Sequence, residues 1–423
     1  MGSRVLLVGM GAREHAIAWK LRQSPLVDEI FVAPGNAGTA LVADNLPFQP
    51  KDIDGIVRAA RDHRVDFYLA SMDDPQPLGL VDRLSAEGIL CYGPTQAAAQ
   101  LEASKAFSKE FMVGHGIRTA RAQVFASYRD ACAYVENLPD RGVVIKASGL
   151  AAGKGVLLCN SNAEALEALD IAMVRRDFGS AGDTVLIEER LHGWETSAHA
   201  FCDGKTALMF PFATDYKRAQ DGDTGLNTGG MGAYAPSAQV GAAMAERIRR
   251  DVVEPTLAGM AERGAPFVGT LFPGLMVTDA GEYVIEYNAR FGDPEAQVHM
   301  VRLESDLFEV CKAAAQGRLH EVEVHWSTKP AVGVVCAAGG YPATYRIGQV
   351  IEGVDDVDQD VQVFLAGAKD DARGLVTNGG RVLTVVATGD TVAEARQKAY
   401  ENVKRISFTD MQYRQDIAAE AVQ

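Results

Sequence analysis

Residues 282–295 read EYVIEYNARFGDPE and combine a strand pattern with a cluster of polar side chains. Apart from Glu286, positions 283–287 are β-branched, aromatic or apolar, which predicts a β-strand. Residues two apart on a strand share a face, so Glu286 and Asn288 should point the same way. A carboxylate and an amide oxygen suit Mg²⁺, or Mn²⁺, that bridges nucleotide phosphates. Arg290 adds a rigid fork for a carboxylate or phosphate of a substrate.

Length, charge and cysteine content exclude several classes of protein. A chain of 423 residues, 47% of them hydrophobic, should divide into about three domains of ~150 residues each. It has no apolar run near the ~18 residues of a membrane span, and residues 1–4 do not begin a signal sequence, so we expect a cytoplasmic protein without a membrane partner. The net charge of −15 disfavours nucleic acid as a partner but allows a small nucleotide. The six scattered cysteines predict reduced thiols rather than disulfides or a zinc site.

The first 100 residues alternate between strand and helix patterns, which predicts a doubly wound α/β domain. Gly9 and Gly11 form a turn between the first strand and the first helix, and such a turn can bind a phosphate or simply connect the two elements. Glu14 stands where a dinucleotide fingerprint needs its third glycine, so a nicotinamide cofactor is disfavoured. The loop 71–77 follows a strand at its carboxyl end, where open α/β sheets bind ligands.

A second alternation begins with a helix near residue 100 that carries Lys105 close to its start. Residues 143–146 predict a strand that ends on Lys146, and the glycine loop 149–155 follows it. The loop resembles a mobile phosphate lid, with a solvated turn as the alternative. It is not a Walker loop, because its glycines are too close together and a glycine replaces the required Ser or Thr.

Residues 184–188 predict another strand, followed by a linker and a second strand. Backbone groups of 189–191 can meet the edge of an adenine, and Glu195 can accept hydrogen bonds from ribose hydroxyls. The alternative is an acidic edge strand with an exposed hairpin. The segment 221–232 is rich in glycine and polar residues, so we expect no regular structure there, as in a functional or disordered loop.

The end of the chain predicts a small α+β domain. Residues 303–316 before it have a helical pattern, a strand is predicted at 381–387, and a helix follows that starts with the capping box 391–394. One face of that helix is apolar and consists of Ala395, Ala399, Val403 and Ile406.

The motifs, in order along nearly the whole chain, resemble those of the glycinamide ribonucleotide synthetase family, in the ATP-grasp superfamily. They are GMGAREHA from Gly9, VAPGNAGT from Val32, LEASKAF from Leu101, KASGLAAGKGV from Lys146, DTGLNTGGMGAY from Asp223, RFGDPEAQ from Arg290 and AAGGYP from Ala337. The resemblance implies an α/β ATP-grasp ligase with a doubly wound preATP-grasp N-domain at 1–101 and an ATP-grasp core at 102–326. A lid subdomain would be inserted at about 121–189, and a small α+β C-terminal domain would follow at 327–423.

The reaction that the resemblance implies is amide formation: ATP phosphorylates a carboxylate, and an amine attacks the acyl phosphate. ATP would be bound by Lys105, Lys146, Gly153, Lys154, Gly155, Glu188, Glu189, Leu191 and Glu195. The metal would be held by Glu286 and Asn288, and the catalytic residues would be Arg290, Lys217 and Asp293. The acid and amine substrates would be bound by Gly11, Arg13, Asp73, Asp74, Asp215, Asn227 and Gly230.

The chain departs from the family pattern mainly in loops. The family's Gly-Pro-Glu-Ala-Pro-Leu is Ser-Met-Asp-Asp-Pro-Gln at 71–76, and its Gln-Asp-His-Lys is Thr-Asp-Tyr-Lys at 214–217. Leu226 replaces a proline, Ser148 an aspartate, and LFPGL replaces LYAGL at 271–275. These changes leave the residues for ATP and Mg²⁺ intact but fall where the acid and amine are expected to bind.

The sequence therefore predicts an ATP- and Mg²⁺-dependent, ADP-forming carboxylate–amine ligase, a monomer or homodimer with an amino acid and an amine as its partners. The loop changes favour a divergent relative that couples other substrates in a specialised pathway such as nucleoside natural-product assembly. The alternative is the family's own reaction, which joins glycine to phosphoribosylamine in purine biosynthesis. A catalytically silent nucleotide-binding protein and a dehydrogenase are rivals from other classes.

Overall fold

The first strands of the computed structural model, which describes residues 2–151 and 155–422, form a parallel sheet in the order β3-β2-β1-β4-β5. The elements are β1 (Ser3–Gly9), α1 (Ala12–Leu21), β2 (Val27–Pro34), β3 (Asp44–Asn45), α2 (Ile53–Asp62), β4 (Phe67–Leu69), α3 (Leu80–Ala86) and β5 (Leu90–Tyr92). In β1, Val5 and Leu7 pack into one hydrophobic cluster, and Leu6 and Val8 pack into another on the opposite face. An apolar run covered on both faces is typical of a doubly wound sheet, and this prediction is confirmed.

Residues 122–189 form an antiparallel sheet of their own, in the order β6-β9-β7-β8. The chain reaches it through α4 (Gln100–Ala103) and α5 (Lys105–Gly114), and it contains β6 (Ala122–Phe125), α6 (Tyr128–Glu136), β7 (Val143–Ala147), β8 (Val156–Cys159), α7 (Asn162–Leu169) and β9 (Val185–Glu189). Val143 and Ile145 of β7 pack in one hydrophobic cluster with residues of α6 and α7. Because side chains alternate along a strand, Lys146 projects from the other face of this sheet.

The central sheet is built around a long strand of 11 residues, β17, which pairs with β10 and β11 along one edge and with β18 along the other. In chain order, this part contains β10 (Trp194–Ser197), β11 (Ala200–Asp203), β12 (Ala207–Met209), β13 (Thr214–Asp215), β14 (Arg218–Gln220), β15 (Thr224–Asn227), β16 (Gly232–Ala235), α8 (Ala242–Ile248), α9 (Glu254–Glu262), β17 (Val268–Thr278), β18 (Gly281–Asn288), α10 (Glu295–Arg302) and α11 (Leu307–Ala315).

The last sheet has the order β13-β16-β19-β23-β20, so β13 and β16 of the central region pair with strands from the end of the chain. The remaining elements are β19 (Ala331–Ala337), β20 (Gln362–Leu365), β21 (Ala368–Asp371), β22 (Gly374–Thr377), β23 (Arg381–Thr388) and α12 (Val392–Val403). Ala395, Ala399 and Val403 of the predicted apolar face are buried on α12, whereas Ile406 is buried beyond the end of the helix. The Thr391 side chain accepts from the Glu394 N–H as expected of a cap. This arrangement links the C-terminal part directly to the segment that follows β12.

The expectation of no regular structure at 221–232 is wrong. β15 lies in that segment and pairs with β14 as a hairpin, and β16 begins at Gly232. A Cβ on Gly232 would lie 2.7 Å from the carbonyl oxygen of Gly333 and from Ile417. This glycine therefore permits close packing of two strands, a role that composition alone does not distinguish from flexibility.

The helix predicted at 303–316 is also different in the structure. Helix α10 ends at Arg302, and α11 begins after Asp306, whose carboxylate caps the N–H groups of Phe308 and Glu309. The break changes the direction of the chain, so that α11 packs against the N-terminal sheet and α10 leads away from the loop that carries Asp293.

The structure also bears on membrane association and on the cysteines. Within residues 2–151 and 155–422, no helix has both the length and the apolar character required to cross a membrane. All six cysteines lie in this part of the chain, and each is a free thiol.

Candidate active site

Strand β18 brings the predicted metal-binding pair to one face. Glu286 and Asn288 flank Tyr287, whose ring is buried in the hydrophobic cluster of the central sheet. Arg290 Nη2 donates to Asn288 Oδ1 at 2.9 Å, and Arg290 also interacts electrostatically with Glu286. The two oxygen-bearing side chains therefore face the same charged site.

Lysines surround Glu286. Burial alone would raise the pKa of the Glu286 carboxyl, but Lys217, Lys146 and Lys105 hold it below its usual value. Lys217 Nζ lies 3.7 Å from Glu286 Oε1, and 33% of the Glu286 side chain is exposed. An ionised carboxylate that solvent can reach, surrounded by ammonium groups, suits a complex of a divalent cation with phosphates.

The donor set fits a hard cation that keeps much of its own coordination shell. In the described ranges 2–151 and 155–422, no group of three or more His, Cys, Asp and Glu side chains could hold a metal ion. Glu286 offers carboxylate oxygens, and Asn288 Oδ1 has a second lone pair beyond the one that Arg290 uses. Mg²⁺ commonly takes one or two protein oxygens and completes its shell with waters and phosphates, so this pair fits it.

A buried chain of charges joins helix α5 to the sheet of residues 122–189, which is called the lid sheet after the predicted lid subdomain. Lys146 Nζ lies 2.8 Å from one carboxylate oxygen of Glu188, and Lys109 Nζ lies 3.0 Å from the other. Lys146 also donates to the carbonyl of Ile285 in β18 at 2.8 Å. Glu188, predicted to bind ATP, is therefore engaged with two lysines, and Lys109 was not predicted at all.

The glycine loop begins beside a further lysine. Lys105 Nζ donates to the carbonyl oxygen of Gly149 at 3.2 Å, and burial lowers the pKa of its ammonium group. Gly155 is buried, and its carbonyl accepts from the Ala147 N–H at 2.8 Å. The predicted ATP-binding residues Gly153 and Lys154 lie outside the described residues.

Lys217 is the centre of a second charged group. Its Nζ lies 2.7 Å from Glu195 Oε2, and Asp215 accepts from Ser197 Oγ at 3.2 Å nearby. Burial would lower the pKa of Lys217, but Glu195, Asp215 and Glu286 raise it well above its usual value. Burial also raises the pKa of Asp215. Glu195, which we expected at a ribose, is thus paired with a predicted catalytic lysine.

The other predicted adenosine contacts lie at the end of β9. Glu189 pairs with Arg121, with 2.8 Å between Oε2 and Nη2, and its N–H donates to the Arg121 carbonyl. Leu191 lies two residues further on, in the linker that leads to β10. The two residues lie where β9 passes into the linker to β10, and their role at an adenine edge stays a prediction.

Arg290 is fixed by protein groups at each of its nitrogens. Nε lies 3.1 Å from Glu102 Oε1, Nη2 contacts Asn288, and Nη1 donates to the carbonyl of Phe291 at 3.1 Å. Burial raises the pKa of the Glu102 carboxyl to about 7, against the opposing charge of Arg290, and the nearby Asp73 adds to the rise. Arg290 and Asp73, two predicted site residues, are thus brought together around Glu102.

Asp293 joins the site to the C-terminal sheet. Its Oδ2 lies 2.7 Å from Nη2 of Arg381 in β23, and its Oδ1 accepts from Gln297 at 2.8 Å. Burial would raise the pKa of Asp293, but Arg381 and Arg13 hold it below its usual value. Gly230 packs on the same loop, since a Cβ there would lie 2.3 Å from Cδ of Pro294.

The turn after β1 also faces this loop. Arg13 Nη1 donates to the carbonyl of Phe291 at 3.1 Å, and its Nε donates to Glu14 at 2.7 Å. The Gly11 N–H donates to the Glu14 carboxylate at 2.8 Å, so a side chain of the protein takes up this donor at the start of α1. The turn therefore brings the Arg13 side chain to the site beside Asp293, whereas the Gly11 N–H is already bonded to Glu14.

Two predicted substrate contacts lie apart from these clusters. Asp74 pairs with Lys51 at the surface, 3.3 Å away, rather than with Arg290. Asn227 ends the hairpin strand β15, opposite Arg218. Asn227 is close to the site only through its neighbour Thr228, which bonds to the carbonyl of Lys217.

Sequence reasoning missed four residues of the site: Lys109, Glu102, Glu295 and Arg381. Burial raises the pKa of the Glu295 carboxyl to about 7, and Asp215 adds to the rise. Glu102 belongs to the LEASKAF motif and Glu295 to the RFGDPEAQ motif, so the sequence does contain a signal for both residues. Lys109 and Arg381 carry no local signal, because their partners are distant in the sequence.

Lysines from α5, from the 122–189 sheet and from the segment after β13 surround an acid–amide pair on the central antiparallel sheet. This arrangement on this fold defines an ATP-dependent ligase of the ATP-grasp class. Family models bear this out in three successive parts of the chain. The phosphoribosylglycinamide synthetase N domain matches residues 3–102, the ATP-grasp (A) domain 103–296 and the C domain 331–420. The chain belongs to the phosphoribosylglycinamide synthetase family, and the predicted family and fold class are confirmed.

Individual relatives agree over the full length. The chain is 47% identical to a phosphoribosylamine–glycine ligase of Allochromatium vinosum, over 99% of each chain. It is 46% identical to a phosphoribosylamine–glycine ligase of Vibrio vulnificus, over 99% of this chain and 98% of that one.

Solved structures show the same architecture. The crystal structure of the phosphoribosylamine–glycine ligase of Thermotoga maritima superposes with a TM-score of 0.85 at 34% identity, covering 98% of this chain and all of that one. The biotin carboxylase domain of the Hydrogenobacter thermophilus 2-oxoglutarate carboxylase, solved with MgADP, has a TM-score of 0.74 at 15% identity, over 98% and 92% of the two chains. At that identity, the second comparison concerns the fold alone.

Proposed function

We propose that this protein is a phosphoribosylamine–glycine ligase, which uses ATP to activate the carboxylate of glycine and joins it to the amine of phosphoribosylamine. The observation that carries the proposal is the 47% identity to such a ligase over 99% of both chains. The loop changes at 71–76 and 214–217 had favoured a relative with other substrates. Several phosphoribosylamine–glycine ligases are similar to the chain over its full length, and this supports the purine-biosynthesis alternative better than a relative with other substrates.

The lysines would receive the triphosphate. Lys105 and Lys146 approach Glu286 from α5 and from the lid sheet, so phosphates placed beside Glu286 would meet positive charge from two directions. Phosphoryl transfer asks for little covalent work by the protein and depends on positioning and charge neutralisation. The linker 189–191 would meet the adenine edge.

Glu286 and Asn288 would hold Mg²⁺, which supplies charge neutralisation at the transferred phosphoryl group. Both residues lie on a strand whose neighbour β17 is covered by packed helices, so the two oxygens are presented by a rigid element. Arg290, held by Glu102, Asn288 and Phe291, would orient Asn288 and leave its positive face toward an acid substrate.

The acid and amine would meet beyond the phosphates. Lys217 carries a firmly held positive charge beside Glu195 and Glu286, which suits an acyl phosphate and its departing phosphate. Arg13, in the first helix of the N-terminal domain, lies near Asp293 and lowers the pKa of its carboxyl. The phosphate of the amine substrate would bind to this arginine. Asp73 lies on the same side, near Arg290.

The test is direct. The purified protein is incubated with ATP, Mg²⁺, glycine and phosphoribosylamine prepared from ribose 5-phosphate and ammonia, and the amide product and ADP are measured by mass spectrometry. We expect one amide formed per ADP, and no turnover when either glycine or the amine is omitted. ADP release with other acids or amines but not with this pair would overturn the proposal in favour of the divergent relative.

A silent nucleotide-binding protein is the rival from another class. The ionised Glu286, its lysines and the oxygen of Asn288 form a complete charged site, which argues against lost catalysis. Binding of MgATP without ADP formation under any combination of amino acids and amines would support that rival.

A further inference from the structure

Tyr216 stands between two charged residues of the site and points away from them. Asp215 and Lys217 lie in the charged cluster with Glu195 and Glu286, whereas Tyr216 is 7% exposed and packs in the C-terminal hydrophobic core. The Tyr216 N–H donates to the carbonyl of Gly232 at 3.0 Å, and its carbonyl accepts from Met231 at 2.8 Å. Whatever holds this ring therefore also sets the direction in which Lys217 projects.

The segment 414–420 holds the ring from three sides. Tyr216 Oη donates to the Glu420 carboxylate, whose oxygens lie 2.6 and 2.7 Å away, and accepts from the Ala418 N–H at 2.7 Å. The Arg414 guanidinium lies over the ring, with its carbon 4.8 Å from the ring centroid. Both the polar end and the face of Tyr216 are thus bound by one short stretch of chain.

The same segment holds the hairpin that follows Lys217. Arg414 Nη1 donates to Asp223 Oδ1 at 2.7 Å, and the Asp416 carboxylate accepts from the Gly222 N–H at 2.8 Å. Only 1% of the Arg414 side chain is exposed, whereas 72% of the Asp223 side chain is, so a buried guanidinium holds a turn at the surface. The turn of the hairpin is therefore fixed to the C-terminal part of the chain.

The segment is itself anchored on helix α12. Tyr400 Oη donates to the carbonyl of Arg414 at 2.7 Å and accepts from the Ile417 N–H at 3.1 Å. Arg396 Nε donates to the carbonyl of Ile417 at 2.9 Å. The segment thus transmits the position of a rigid helix to Tyr216.

We propose that the 414–420 segment positions the catalytic machinery: through Tyr216 and the hairpin, it fixes Lys217 Nζ beside Glu195 and Glu286. Within the described residues, the segment forms no hydrogen bond or ion pair with the side chains of Glu195, Lys217 or Glu286, so its residues act as positioning residues. The inference rests on the proposed function only in assigning Lys217 to the reaction.

The first test measures the position of Lys217 without any substrate. Reductive methylation of the parent and of Tyr216→Phe, followed by mass spectrometry, gives the rate at Lys217 relative to the exposed Lys51. We expect about a fivefold faster rate at Lys217 in Tyr216→Phe, because the loss of the hydroxyl frees the residue that orients it. Tyr413→Phe is the matched control, since the Tyr413 hydroxyl forms no side-chain hydrogen bond in the described part of the chain. An unchanged rate in Tyr216→Phe would overturn the proposal.

The second test is kinetic. Tyr216→Phe and Glu420→Ala should each lower kcat about tenfold and leave the KM for ATP within about twofold, because positioning acts on the reacting groups rather than on nucleotide binding. Glu420→Gln, which can still accept from the tyrosine, should recover most of kcat, and the double variant should be no worse than either single one. Lower Tm with unchanged kcat would overturn the proposal by reducing the segment to a structural role. If the parent itself makes no amide from glycine and phosphoribosylamine, the proposed function fails, and the methylation rates still decide the positioning role.

Discussion

Lys146 Nζ and Glu188 Oε2 lie 2.8 Å apart in an ion pair that leaves 8% and 4% of the two side chains exposed. Lys109 binds the other oxygen of the same carboxylate, so one buried carboxylate is the counter-charge of two ammonium groups. Lys146 belongs to the lid sheet and Lys109 to helix α5 of the central region. The carboxylate therefore joins the 122–189 sheet to helix α5 and holds Lys146, the lysine that we propose binds a phosphate of ATP, in place.

Glu188→Ala should destabilise the protein strongly. The variant leaves Lys109 and Lys146 buried without their shared counter-charge, and breaking a buried pair in this way costs about 3–5 kcal/mol. Unfolding in urea, followed by circular dichroism, measures the change. Glu189→Ala is the matched control, because Glu189 pairs with Arg121, whose side chain is 81% exposed, and such pairs contribute about 0–1 kcal/mol. Equal losses in the two variants would contradict the prediction.

Glu286→Ala should abolish most of the ligase turnover while the fold is retained. The variant removes the proposed metal ligand, which is also the carboxylate that balances Lys217, Lys146 and Lys105, so kcat should fall by about 100-fold or more. The stabilisation of Tm by MgATP should also require more Mg²⁺. Initial rates of ADP release and thermal shifts across a Mg²⁺ series measure both effects.

Glu282→Ala is the control for that variant on the same strand. Glu282 lies at the start of β18 and pairs with Arg247 near the surface, away from the lysines. Its loss should leave turnover and Mg²⁺ dependence close to those of the parent. Turnover that survives in Glu286→Ala as well would remove the metal site from β18.

The sequence predicted those parts of the site that depend on local pattern. The common face of Glu286 and Asn288 follows from strand alternation alone, and the lysine at the end of β7 follows from its position after an apolar run. The partners of these residues did not follow, because they come from far along the chain. Arg290 binds a carboxylate 188 positions away, and Arg381 binds one 88 positions away.

The hairpin that carries Asn227 shows a different limit. Its composition predicted irregular structure, yet β14 and β15 pair, and the turn between them is fixed by Arg414 and Asp416. Glycine and polar residues indicate a turn, but whether the turn is free or held depends on a contact that the local sequence does not contain. The same reason explains why Tyr216 looked like a simple departure from the family pattern.

The free energy of unfolding should fall in mild acid because buried histidines resist protonation, and His199 is the residue at which we test this. Burial lowers the pKa of His199 from 6.5 to about 3, aided by the charge of Arg290, so the folded protein keeps the ring neutral where the unfolded chain binds a proton. The contribution of His199 to the free energy of unfolding is fully present above pH 6.5 and is lost as the pH falls toward 3. At pH 5 the loss from this residue is about 2 kcal/mol, at about 1.4 kcal/mol per pH unit.

His199→Phe should remove that dependence. The ring of His199 stacks on Phe272, with 4.0 Å between centroids, so phenylalanine suits the site. The free energy of unfolding is measured in urea at pH 7 and at pH 5 for both proteins. Relative to the parent, the variant should gain about 2 kcal/mol when the pH is lowered from 7 to 5. His320→Gln, at a side chain that is 63% exposed, should show no such shift. Identical pH dependence in His199→Phe and the parent would contradict the assignment.

Arg381→Lys should impair the enzyme even though it keeps the charge. Arg381 Nη2 lies 2.7 Å from Asp293 Oδ2, while Nη1 reaches the other carboxylate oxygen and donates to the carbonyl of Gly229 at 2.7 Å, a fork that an ammonium group cannot reproduce. We expect a loss of about 1–3 kcal/mol of stability in urea and about a tenfold lower kcat, because the Asp293 loop loses its hold on the C-terminal sheet. Arg373→Lys is the control, since Arg373 pairs with Asp371 at the surface with 58% of its side chain exposed, and it should change stability by less than about 0.5 kcal/mol. If Arg381→Lys matches the parent in both measurements, charge alone holds Asp293 and the geometry of the fork is not required.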